Sequence, residues 1–114
     1  YLKMTEAVMK CQDADGSWHA SLLAPDLYPT PENSSSAFMT YGLAWGVNHG
    51  FLKGKACRKA VEKGWKALCS YVRGDGMLEY VQPVAGAPAK ITRDMCEVYG
   101  AGAFLLAATE MLDF

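Results

Sequence analysis

The sequence predicts an all-α fold of helical hairpins set side by side as part of a ring. Three observations carry this. Four segments have helical periodicity and alternate between amphipathic and wholly apolar. The same order of turn, loop and helix start occurs twice. The apolar helices need more covering than two hairpins supply, so neighbours beyond this segment are expected.

Leu2–Gln12 reads as the first helix, with Leu2, Ala7, Val8 and Cys11 on one side and Lys3, Glu6 and Lys10 on the other. Asp15-Gly16 marks a turn. Ser17–Leu23 reads as a short extended piece, and Ala24–Asn33, with Pro25, Pro29 and Pro31, as a loop. Ser34–His49 is the second helix, with Asn33 or Ser34 as its N-cap. Phe38, Met39, Leu43, Trp45 and Val47 help make it apolar almost all round, which marks a buried helix. Ala56–Val72 is the third. Cys57, Ala60, Val61, Leu68 and Val72 form its inner stripe; Arg58, Lys59, Glu62, Lys63 and Lys66 form its wet face. Gly74-Asp75-Gly76 stops it, Met77–Gln82 alternates weakly as a short strand, and Val84–Lys90 is a Gly/Pro loop. Cys96–Leu112 is the fourth helix, again apolar nearly all round.

Gln12–Trp18 resembles Val72–Leu78 at a displacement of 60, and Ser34–Phe38 resembles Gly100–Phe104 at a displacement of 66. Small residues at a helix start let a backbone or a ligand approach closely. Two such units side by side place amphipathic helices outside and apolar helices inside.

A length of 114 residues fits one domain, and 1–114 is expected to be a segment of a single domain with no separate second domain. A hydrophobic fraction of 51% with 20% charged residues excludes intrinsic disorder. The net charge of -1 and the absence of a basic run argue against nucleic acid as a partner. The apolar run Val98–Ala108 is too short for a membrane span, so no membrane partner is expected. No signal-peptide pattern opens the chain. It begins with Tyr1 rather than Met, and a piece of something longer is expected.

Cys11, Cys57, Cys69 and Cys96 are separated by 46, 12 and 27 residues, with no CxxC and with His19 and His49 far from any cysteine pair. That spacing does not make a zinc site. Cys57 and Cys69 share one predicted helix about 18 Å apart, beyond disulfide reach. Buried or half-buried free thiols follow, and they favour a cytoplasmic location.

Gly100-Ala101-Gly102 lacks the third glycine of a dinucleotide fingerprint, since Leu105 stands there; close helix packing is the better reading. Asp13-Ala14-Asp15-Gly16 has its glycine too early for a calcium loop and Ala24 where the glutamate belongs, so it reads as an Asp-Gly turn. No GxSxG, HExxH, SxxK or Walker pattern occurs. Asp26 and Glu32 could pair as glycosidase carboxylates, but spacing alone does not select them. Trp18-His19 is the most suggestive pair. An indole stacks on a sugar ring or packs beneath a loop, and an imidazole holds a hydroxyl or a carboxylate. Ser34, Ser35 and Ser36 have no nearby base and read as helix caps or hydroxyl contacts to a polar ligand.

From Trp18 the stretch WHASLLAPDLYPTPENSSSAFMTYGLAWGVNHGFL resembles the unsaturated rhamnogalacturonyl hydrolases, glycoside hydrolase family 105, and their relatives in family 88. AVEKGWKAL, YVQPVAGAP and DMCEVYGAGAFLLAATEM continue the likeness in order over nearly the whole chain. The resemblance implies an (α/α)6 toroid of twelve helices, of which this chain is the last third, about two hairpins. It implies removal of a C4=C5 unsaturated uronic acid left by pectin degradation. In the family an aspartic acid protonates the double bond, water adds at C5, and the hemiketal collapses to release the next sugar, with no cofactor. That acid and the family's Trp-Ala-Arg-Gly-Asn-Gly-Trp motif are not in this sequence, so no catalytic residue is carried over.

Trp18 and His19 match the family's Trp-His at the end of the turn, on the side where the sugar pocket opens. Glu32, Ser34, Ser35 and Ser36 match its Glu-Thr-Ser-(Gly/Ser)-Ser segment. These six are the expected substrate-binding residues. Asn33 stands where Thr or Ser is usual, Ala24 where Asp is usual and Cys96 where Thr is often found. The implied partners are an unsaturated uronyl oligosaccharide and the remainder of the same toroid, or a second copy. The rival reading is a stand-alone helical module that binds carbohydrate or itself without catalysis.

Overall fold

A computed structural model describes residues 1–114. Four α-helices follow in order: α1 Leu2–Lys10, α2 Asn33–Asn48, α3 Lys55–Ser70 and α4 Val98–Leu112. A 3₁₀ turn at Pro25–Leu27 lies between the first two. No helix is long and apolar enough to cross a membrane.

Helix α2 is the hub and packs against both α3 and α4. Its buried residues Asn33, Ser36, Ala37, Thr40, Leu43 and Ala44 recur at i, i+3, i+4 and i+7, a single inward stripe. The outer helix α3 turns Cys57, Ala60, Val61, Gly64, Ala67 and Leu68 inward, as its periodicity predicts. Gly64 sets the closeness of the crossing. A Cβ there would lie 2.4 Å from Thr40 Oγ1 and 3.3 Å from the Trp18 ring.

The core lies in two clusters, each drawing on both repeat units. The first gathers Trp18, Leu43, Ala44, Leu52, Cys57, Ala60 and Val61, with Val8, Met9 and Cys11 closing it from the α1 side. The second gathers Ala37, Leu68, Leu78, Val81 and Ala103. Trp18 and Leu78, both buried, hold equivalent places after the two Asp-Gly turns. The turns themselves are copies. Asp13 N–H donates to Ser17 O at 2.9 Å, and Arg73 N–H donates to Met77 O at 2.9 Å. Asp15 Oδ1 accepts the Ser17 N–H at 2.8 Å, and Asp75 Oδ1 accepts the Met77 N–H at 3.2 Å. Gly16 and Gly76 take φ of 103° and 88°, a region that side chains disfavour.

Several expectations need correction. The α1 face that packs is Thr5, Val8 and Met9, whereas Leu2 and Ala7 are exposed. Met77–Gln82 is not a strand: Val72 and Leu78 make one isolated bridge, and Tyr80 at φ 56° breaks the extended path. Ser17–Leu23 likewise holds only the His19–Pro31 bridge. As expected of apolar helices short of neighbours, the inner helices are not covered on every face. Helix α4 buries only Gly100, Ala103 and Ala107 and leaves Val98, Leu105 and Leu112 at 87%, 64% and 85% exposure. Of the four free cysteines only Cys57 is buried; Cys11 is half-buried, and Cys69 and Cys96 are exposed.

Candidate functional site at the loop end of the helices

The first turns of α2 and α4 come together at one end of the molecule, roofed by the loops that precede them. Glu32, rather than Asn33 or Ser34, is the N-cap of α2. Its carboxylate accepts the backbone N–H groups of Ser34 and Ser35 at 3.2 and 2.8 Å, and that of Gln82 at 3.3 Å. The Ser34 hydroxyl lies 2.9 Å from both carboxylate oxygens. The side chain is buried and its oxygens are fully engaged, so Glu32 joins the second loop to the start of α2. Asn33, in the next position, is also buried. It donates its backbone N–H to Tyr80 O at 2.9 Å and its amide to Glu79 O at 2.7 Å.

The three serines part company, because successive helical residues face directions about 100° apart. Ser34 faces a cavity of about 320 Å³ lined by Gln82 to Pro88 and Tyr99. Ser35 faces the groove between α1 and α2, beside Tyr1, Met4 and Phe38. Ser36 is buried, accepts the Trp18 N–H at 2.9 Å and donates to Glu32 O at 2.9 Å. Trp18 is fully buried, with Nε1 donating to Val8 O at 2.8 Å. Of its two sequence readings, packing beneath the loop is the one found; the ring has no face to offer a sugar.

His19 sits at the mouth of the first loop. Nδ1 lies 2.8 Å from Tyr28 O and Nε2 lies 2.9 Å from Asp13 Oδ2. Burial pulls the imidazole pKa down, but the bonds to Asp13 and to the Tyr28 carbonyl outweigh it and leave it above the ordinary 6.5. The same bond, helped by the Ala14 N–H, holds the Asp13 carboxyl below its usual value. Behind this pair, Tyr71 OH donates to Asp15 Oδ2 at 2.8 Å. Burial and that bond raise the Tyr71 pKa.

Sequence reasoning missed Tyr99, Gln82 and Lys90. Tyr99 lies within the run that reads as an apolar inner helix, yet its hydroxyl donates to Gln82 O and it borders the Ser34 cavity. Its position in the first turn, just before Gly100, was the available signal. A second cavity of about 360 Å³ lies between Leu27–Thr30 and Ala89–Ile91, with Lys90 on its wall. The structure thus brings His19, Glu32 and Ser34 to the loop end, turns Ser35 aside, and encloses Trp18 and Ser36. Asp26 carries no partner that would set it up as an acid.

The glycosyl hydrolase family 88 model matches residues 1–114, the whole chain. The chain belongs to glycosyl hydrolase family 88. Among curated relatives of this family-88 segment is an unsaturated 3S-rhamnoglycuronyl hydrolase of Alteromonas sp. (strain LOR), 46% identical over 98% of this chain and 27% of the relative. A protein of the same name from Formosa agariphila is 40% identical over 96% of this chain and 29% of its own length. A solved family 88 glycosyl hydrolase from Bacteroides vulgatus superposes with a TM-score of 0.91 at 37% identity, over 97% of this chain and 33% of that one. The family-88 segment therefore spans about a third or less of the relatives it matches. Its four helices are a partial segment of the six-hairpin (α/α) toroid of these enzymes.

Proposed function

We propose that this chain is the C-terminal third of an unsaturated uronyl hydrolase. The parent protein removes the C4=C5 unsaturated uronic acid from the non-reducing end of a rhamnose-containing oligosaccharide. A proton adds at C4 and the hydroxyl of water at C5; the resulting hemiketal opens and releases the rhamnose end. The observation that carries this reading is the match over 112 and 109 residues of this chain to two relatives named for an unsaturated rhamnoglycuronyl substrate. The rhamnogalacturonan expected from the sequence and the rhamnoglycuronyl unit in those names share rhamnose beside an unsaturated uronate.

Within that reaction this chain supplies binding surface rather than the acid. Its buried carboxylate at the loop end, Glu32, has both oxygens taken up by the first turn of α2 and by the Gln82 N–H, so it does not reach a sugar. Ser34, Tyr99 and Lys90 are the groups in this reading that meet the sugar. A hydroxyl pair at two helix starts suits sugar hydroxyls, and Lys90 suits the uronate or a sulfate on the sugar. The apolar faces of α1, α2 and α4 are the surfaces on which the rest of the toroid rests.

The test is to read the gene upstream of the Tyr1 codon and to assay the full-length product. Loss of the double-bond absorbance of an unsaturated uronyl-rhamnose, measured with and without 3-sulfation, is expected. An intact, folded full-length protein that leaves both chromophores unchanged overturns the proposal, as does a frame that closes just upstream.

A further inference from the structure

We propose that His19 is a positioning residue: a cationic clamp that fixes the first loop over the Asp-Gly turn, rather than a group that holds the sugar. The geometry gives the imidazole two acceptors. A carbonyl oxygen lies 2.8 Å from one ring nitrogen and a carboxylate oxygen 2.9 Å from the other. A neutral imidazole has one N–H and leaves one of these contacts unsatisfied; only the imidazolium donates to both. The side chain is 10% exposed, so neither nitrogen is free for a ligand. Asp13 provides the negative charge from the turn, and Asp15 adds to it at longer range. Lys63 is the cation on this side, donating from Nζ to Asp13 O at 3.3 Å from the outer helix α3. No charged side chain approaches from the loop itself, where the contact is the Tyr28 carbonyl.

The clamp has a defined target. The loop leaves at His19 and returns at Pro31, and these two residues pair in the isolated bridge. Glu32 N–H then donates to Trp18 O at 2.9 Å. The bridge holds the two ends, and His19 reaches across to Tyr28 to hold the stretch whose residues Leu27–Thr30 wall the cavity opposite Lys90. The clamp closes while Asp13 is ionised and His19 is protonated. His19 is the raised partner, so its share is complete below 6.5 and fades as pH climbs through the higher folded value. Asp13 is the lowered partner, so its share is complete above 3.8 and fades as pH falls through the lower folded value.

The role of the walled cavity as a sugar site rests on the proposed function; the clamp does not. Its test therefore uses no substrate. In the full-length protein, deuterium exchange at the imidazole C2 carbon, read residue by residue by mass spectrometry, gives the His19 titration midpoint. Backbone amide exchange over 24–31 follows the loop, and protection of α2 confirms a folded sample. The expected result is a His19 midpoint above 6.5 that Asp13→Asn lowers. Loop exchange should rise beyond the intrinsic base-catalysed rate as pH passes that midpoint. A midpoint at or below 6.5 in folded protein, or one that Asp13→Asn leaves in place, overturns the clamp. A clamp that titrates as expected in a protein without hydrolase activity overturns only the functional proposal.

Discussion

Glu32 shows how much one side chain decides at this end of the molecule. It caps α2, receives Gln82 from the second loop and accepts the serine hydroxyl that borders the cavity. Glu32→Gln keeps the shape but replaces one acceptor oxygen with an NH₂ group facing donors. A loss of about 2 kcal/mol is expected, since a cap and a charge-assisted bond are weakened together. In the full-length protein the denaturant midpoint should fall with an unchanged slope; an unchanged midpoint would remove Glu32 from this role. The cap was not legible in the sequence. Ser, Thr, Asp and Asn lead at N-caps, and Asn33 and Ser34 stood next to the true position. Glu32 wins because the His19–Pro31 bridge delivers it in an extended conformation, φ -120° and ψ 105°, from which its longer side chain folds back onto the first turn.

At the level of helices, periodicity located all four elements, and composition told inner from outer. The stripe Cys57, Ala60, Val61, Leu68 on α3 could be read because burial there follows a 3.6-residue period. What periodicity hid was which neighbour each face meets. The α2–α3 crossing depends on Gly64, an unremarkable residue in the sequence. Gly64→Ala ordinarily favours a helix by about 1 kcal/mol. Here the methyl group would collide with Thr40 Oγ1 and press on Trp18, so a net loss of about 1–3 kcal/mol is expected from overpacking. The Thr40 hydroxyl is buried without a partner, so Thr40→Ala in the same chain should recover most of that loss. Thermal unfolding of the two single variants and the double variant of the full-length protein checks this; additive effects would show that the contact does not limit the crossing. The Asp-Gly turns were legible for a simpler reason: their geometry is local, set by one aspartate and one glycine. The tie from Tyr71 to Asp15 spans 56 residues and left no local trace.

Across the whole molecule, the apolar sides of α1, α2 and α4 stand open. Leu2, Met4 and Phe38 are 55%, 65% and 49% exposed on one flank, matched by Val98, Leu105 and Leu112 on the other. A stretch of this kind does not remain solitary in water. Produced alone, residues 1–114 are expected to self-associate or to unfold without a sharp transition. Sedimentation velocity with a thermal melt reads this, and a monodisperse monomer with a cooperative melt would contradict it. The fold class was legible at this scale because two apolar inner helices need more neighbours than two hairpins supply. The two turns carry a last consequence. Asp15 in the first unit is completed by a phenol from the second, Tyr71. Asp75, its counterpart, is completed within its own unit by Arg73, with Nη2 at 2.7 Å. In the vocabulary of polymer chemistry, the first aspartate is a cross-link between units and the second an internal ring closure. The two copies share a backbone but are not interchangeable monomers: replacing the first aspartate would loosen the seam between units, replacing the second only its own turn.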